Sequence, residues 1–189
     1  MYQLPEGYSE IRRVNLQENT KLAVMINVLC FFVAVVMMLL GFLFVPINFA
    51  FGSQNLYVLA AFMGSLILYF VFHELIHGLF IKIFSGQKAK YGFAGLFVYA
   101  GSDAYFNKRQ YIVIGAAPVV LFGALFLCLN LFLTGGWFWF FYILQTLNIA
   151  GSVGDLYLIG LMTRMPADVL THDKGIDMII YSKSPGSSL

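Results

Sequence analysis

Leu66-Ile67-Leu68-Tyr69-Phe70-Val71-Phe72-His73-Glu74-Leu75-Ile76-His77-Gly78-Leu79-Phe80 is the stretch on which the reading of the whole chain turns. Every residue in it except His73, Glu74, His77 and Gly78 is apolar or aromatic, so an ionisable trio sits inside a run that belongs in oil or in protein. Ionisable groups at membrane depth are costly enough to be functional hypotheses by default. The surrounding chain supports a bilayer: of 189 residues, 60% are apolar and 11% charged, against about 25% charged in an ordinary soluble domain. The 20 Phe and 11 Tyr suit lipid and its interfaces. A soluble enzyme is excluded first, and a net charge of +2, scattered along the chain, excludes nucleic acid. The lipid bilayer is the expected partner.

Crossing the hydrocarbon core takes about 20 apolar helical residues, and four stretches meet that length: 22–45, 56–81, 110–134 and 137–163. The expectation is an all-α integral membrane protein with four transmembrane helices. Residues 1–165 read as one membrane-embedded domain and 166–189 as a short cytoplasmic tail. Lys and Arg fall before the first span, between the second and third, and after the fourth. Cytoplasmic loops retain these residues, which puts both termini in the cytoplasm. The connection at 46–55 carries no charge, and Gly135-Gly136 is so short a link that spans three and four are expected to be antiparallel neighbours. Lys90 to Tyr105, rich in Tyr, Phe, Val and Gly, reads as a short β-hairpin near the cytoplasmic interface; 169–181 suggests another, turning at Asp173-Lys174-Gly175. The end at 184–188 reads as a frayed tail. Cys30 and Cys128 lie in apolar runs and predict no disulfide. The first twenty residues lack the basic start and short apolar core of a cleaved signal, so the first span is expected to persist.

Two of the nine acidic residues, Glu74 and Asp155, fall inside the spans, and no Lys or Arg falls there to balance them. His73 and His77, at i and i+4 of a helix, project from one face and can share a zinc ion, with Glu74 as general base beside the activated water. A catalytic zinc usually takes a third protein ligand. Asp155 is the candidate on depth: His73 lies nine residues before Lys82 and Asp155 nine before Arg164, roughly 14 Å inside their basic flanks at 1.5 Å per residue. One dication also cancels both carboxylates. Asn148, Gly151, Ser152 and Asp155 share one face of a continuous helix, so Asn148 and Ser152 either support the metal site or glue helices together. Pro118, without an N–H, frees a backbone carbonyl at similar depth in span three. The competing reading of His73, Glu74 and His77 is a polar cluster that stabilises helix packing, and that of Asp155 is a protonated acid bonded to a neighbouring helix. Tyr69 reads as packing, Asn27 as snorkelling to the interface, and His172 beside Asp173 as a solvated turn.

These residues resemble the site-2 protease class of intramembrane zinc metallopeptidases, and more closely a family of small bacterial zincin-peptidase membrane proteins. The likeness covers residues 56–165 best and rests on His-Glu-Leu-Ile-His at 73–77, Gly-Ala-Ala-Pro-Val-Val at 115–120, and Asn148 to Asp155. It implies zinc bound by His73, His77 and Asp155, Glu74 as base, and an extended substrate paired along 91–105. It further implies a site in the cytoplasmic half of a bacterial cytoplasmic membrane. The chain departs from the larger class at Phe122, where Asn is usual, at Gly151, where Pro is usual, and at Leu156, where Gly is usual. The expected activity is hydrolysis of peptide bonds in a membrane-embedded or membrane-proximal substrate. The alternative is a metal-stabilised membrane scaffold without catalysis.

Overall fold

A computed structural model describes residues 3–46, 56–94 and 97–183; the expected uncharged loop, apart from Pro46, and the expected tail at 184–188 lie outside them. Among the described residues, three helices are long and apolar enough to cross a membrane: α1 (Thr20–Phe44), α2 (Leu56–Ser85) and α3 (Lys108–Phe132). Their starts are written in the sequence. Asn19 accepts the Leu22 N–H at 3.0 Å as the N-cap of α1. At α3, Asn107 and Gln110 bond each other's backbone N–H at 3.0 and 3.1 Å, a reciprocal capping box. Outward side chains such as Phe31 and Leu43 are 71% and 75% exposed, an arrangement suited to acyl chains and not to water.

The expected fourth span is not one helix. Residues 137–163 divide between α4 (Gly135–Gly151) and α5 (Val153–Arg164), with Ser152 at φ −82° and ψ 7° between them. Gly151 and Gly154 flank the break and weaken the helix where it occurs. At 17 residues, α4 is about 26 Å long, short of a typical hydrocarbon core. The single helical face expected for Asn148, Gly151, Ser152 and Asp155 is therefore interrupted.

Nor is the chain all-α. Among the described residues six strands form: β1 (Ser9–Asn15), β2 (Lys90–Ala94), β3 (Phe97–Gly101), β4 (Tyr105–Asn107), β5 (Leu170–Asp173) and β6 (Asp177–Ser182). β2 and β3 pair as an antiparallel hairpin between α2 and α3, with Tyr91 opposite Ala100. The other four build an antiparallel sheet in the order β1-β6-β5-β4. Charged Arg12 and Arg13 obscured β1 in the sequence, and a register shift between Glu10 and Arg12 breaks its alternation. Arg13 is nevertheless placed on the sheet by a forked bond to Asp177, at 2.7 and 2.6 Å.

The chain divides into two compact units, one of 1–25, 74–117 and 155–189, the other of 26–73 and 118–154. Each has its own core. In the first, Phe106, Met162, Val169 and Ile180, none more than 1% exposed, lie with Ile81, Tyr111 and Ile114. In the second, Phe62, Tyr69, Phe126, Phe140 and Leu144 cluster around edge-on aromatic contacts, such as Phe62 to Phe140 at 5.4 Å.

Candidate metal centre

Helix α2 carries His73, Glu74 and His77. One turn apart on one face, both histidines are buried, and Glu74 is half-buried. His77 Nδ1 lies 2.9 Å from the carbonyl oxygen of Ile114 in α3. A carbonyl can only accept, so Nδ1 carries the hydrogen and Nε2 presents its lone pair on the other side of the ring. The Ile114 oxygen can take this bond without competition because Pro118, four residues later, has no N–H to offer it. Nε2 of His77 faces Asp155 Oδ1 at 3.6 Å.

The tautomer of His73 follows from a longer chain of bonds. Asn148, fully buried, donates its amide Nδ2 to the Val119 carbonyl at 3.0 Å, which turns Oδ1 toward Tyr69. The Tyr69 hydroxyl donates to that Oδ1 at 3.2 Å and lies 3.1 Å from His73 Nδ1. With its one hydrogen committed to Asn148, Tyr69 must accept from His73. Nδ1 again bears the proton, and Nε2 again presents a lone pair. Tyr69, expected only to pack, is therefore part of the polar network. Its position one turn before His73 was the signal in the sequence.

Asp155 sits in the first turn of α5, where unpaired N–H groups and the positive helix end favour a carboxylate. The break at Ser152 creates that helix start. Ser152 itself is fully buried, and its hydroxyl has no partner among the described residues, so the structure does not join it to the histidines. His73, His77 and Asp155 each offer one ligand atom, all within 4.8 Å of one another. Two imidazoles and a carboxylate are a donor set that zinc accepts, and bonds of about 2.0–2.2 Å place tetrahedral ligands about 3.4 Å apart. The His77 to Asp155 separation is close to that value.

The β2–β3 hairpin supplies the surroundings of Glu74. The Ala100 backbone N–H lies near enough to the Glu74 carboxylate to act on its charge. Tyr91, opposite Ala100, lays its hydroxyl against Gly78, where any Cβ would collide with it. Burial and then the nearby Glu74 charge push the Tyr91 phenol above its ordinary pKa.

Asp173, expected at the hairpin turn and found at the end of β5, is bonded through both carboxylate oxygens. Tyr111 donates to Oδ2 at 2.6 Å and the Gly175 N–H to Oδ1 at 2.7 Å. Burial raises its pKa from the ordinary value, while these two bonds and the nearby His77 act in the opposite direction. His172 beside it is half-buried and stacks on Tyr105 at 4.7 Å between centroids. Burial and then Lys174 lower its pKa.

Residues 66–170 match the family model described as "Putative zincin peptidase". No curated protein and no solved structure matches the chain. That model spans more than half of the sequence and contains His73, Glu74, His77 and Asp155, and the chain belongs to the putative zincin peptidase family.

Proposed function

We propose that this protein is a membrane-embedded zinc peptidase that cleaves peptide bonds in membrane-embedded or membrane-proximal substrates. The observation that carries the proposal is the grouping of His73, His77 and Asp155 within 4.8 Å, with Glu74 on the intervening turn, in helices made mostly of apolar residues. His73, His77 and Asp155 hold the metal. Zinc, when bound, supplies a Lewis acid that acidifies water toward neutrality and polarises a carbonyl. Glu74 accepts the proton of the attacking water and returns it to the departing amide nitrogen. Tyr69 with Asn148, and the Ile114 carbonyl exposed by Pro118, hold the two imidazoles in the ligating tautomer. A scissile amide in an intact helix is shielded, so the substrate must be locally unwound, and an extended segment would pair along the hairpin region 91–105. The charge distribution argues for both termini and the site toward the cytoplasm, and the family resemblance for a bacterial cytoplasmic membrane.

The test is turnover of transmembrane peptides by detergent-purified protein, beside elemental analysis of wild type, His73→Ala and Asp155→Ala. About one zinc per chain, lost in both variants, and cleavage abolished by Glu74→Gln are the expected results. Glu74→Gln that cleaves as fast as wild type overturns the mechanism. Zinc without cleavage across a broad library of membrane peptides favours the non-catalytic scaffold.

A further inference from the structure

The contacts of Asp173 reach further than its own turn. Tyr111, which donates to its carboxylate at 2.6 Å, lies on α3 one turn before Ile114, and the Ile114 carbonyl receives His77. The two α3 residues share a face and a core. On another side, the backbone carbonyl of Asp173 accepts the Ser102 N–H at 2.8 Å. Ser102 follows β3 two residues after Ala100, whose N–H lies near Glu74. Asp173 thus ties together the α3 turn that orients a histidine, the strand end that faces the proposed base, and the hairpin β5–β6. Its carboxylate is also within electrostatic reach of His77 and Asp155. The matched family region stops at residue 170, before this contact begins.

We propose that Asp173, held by Tyr111 and Gly175, is a positioning residue of the metal centre: it fixes the α3 turn behind His77 and adds a nearby negative charge that favours a divalent cation. The inference rests on the zinc reading above. The β5–β6 hairpin is accordingly part of the functional unit and not an appendage to it.

The experiment measures zinc affinity of the full chain in detergent by competition with a chromogenic chelator, together with melting temperature with and without zinc. Wild type, Asp173→Asn, Tyr111→Phe and the control Asp177→Asn are compared. Asp177 lies in the same hairpin but pairs outward with Arg13. Outer contacts to metal ligands are typically worth 10–100-fold in affinity, so Asp173→Asn is expected to weaken zinc about 10-fold or more. Tyr111→Phe should weaken it by a smaller factor, and the zinc-dependent rise in melting temperature should shrink in both. Asp177→Asn should bind as wild type does. Affinities of Asp173→Asn and Tyr111→Phe within twofold of wild type overturn the proposal, as does an equal loss in Asp177→Asn, which would mark general damage to the hairpin. If Asp173→Asn does not fold, Tyr111→Phe decides alone. A wild type that binds no zinc overturns the underlying reading, and this inference with it.

Discussion

Tyr69→Phe separates a residue that packs from one that sets a tautomer. The substitution keeps the ring, and with it the edge-on contacts to Phe122 at 5.2 Å and His73 at 5.7 Å between centroids. It removes the hydroxyl that accepts from His73 Nδ1 at 3.1 Å and donates to Asn148 Oδ1 at 3.2 Å. Two buried groups then lose a partner, each at a cost of roughly 1–3 kcal/mol, less whatever water or relaxation restores. A stability loss of about 1–2 kcal/mol is expected. The effect on the metal is more diagnostic: with its Nδ1 hydrogen no longer specified, the His73 ring can turn or change tautomer, and zinc affinity should fall about 10-fold, or about 1.4 kcal/mol. Competition with a chromogenic chelator reads this directly. Asn148→Ala should produce part of the same loss, and the double variant should lose less than the sum, because both act through one chain of bonds. Zinc affinity of Tyr69→Phe within twofold of wild type would refute the tautomer argument and return Tyr69 to packing alone.

Pro118→Ala restores an N–H that competes with His77 for the Ile114 carbonyl. The metal-free protein should melt higher, by up to about 3 kcal/mol of helix propensity, while zinc affinity falls about fivefold for the loss of one hydrogen bond of about 1 kcal/mol; unchanged affinity would mean that the oxygen serves both donors. Gly78→Ala drives the Tyr91 hydroxyl away from α2. Because the displaced atom ends a flexible side chain, the melting temperature should change little while peptide cleavage drops severalfold, and an equally active variant would detach Tyr91 from the site. His172 gives a pH dependence. Its pKa is lowered in the folded protein, so as pH falls the unfolded chain binds a proton first, near the ordinary histidine value of about 6.5. Its contribution is present above that pH and is lost as pH drops toward the folded value. Thermal melts between pH 7.5 and 5.5 should therefore show wild type losing more stability than His172→Gln, and parallel curves would rule the contribution out.

The grouping of His73, His77 and Asp155 was legible in the sequence because its signals are local and expensive. His73 and His77 at helical spacing, and a lone Asp155 at matching depth, stand out among mostly apolar neighbours. Pro118 was legible for the same reason: a missing N–H inside a helix must leave a carbonyl for something else, and that something is His77. Contacts spanning long sequence distances were not legible. Asn148 and Tyr69 are 79 residues apart, Tyr111 and Asp173 are 62 apart, and nothing in the spacing of either pair signals that they bond. The fourth span misled because hydropathy runs through 137–163 unbroken, whereas Gly151 and Gly154 interrupt the backbone without interrupting the apolar character. β1 was hidden by the reverse effect. Arg12 and Arg13 look like an interfacial basic flank, and only pairing with β6 reveals that they edge a sheet whose other face buries Val14.

Two irregularities in the helices, the proline in α3 and the break before α5, each leave backbone groups without a helical partner, and in a bilayer such groups must be satisfied inside the protein. Here a proposed zinc ligand stands at each, and at the proline it is bonded to the freed group. The orphaned Ile114 carbonyl takes the Nδ1 hydrogen of His77, and the open start of α5 carries Asp155 in its first turn. The His77 orientation is thus set by backbone that exists before any metal arrives. Stripping zinc with a chelator should therefore leave the far-ultraviolet circular dichroism and the amide exchange of α2, α3 and α5 nearly unchanged. The melting temperature should fall, and recover with added zinc as mass action requires. Unfolding of these helices on chelation would show the reverse order of events, with the cation organising its own ligands.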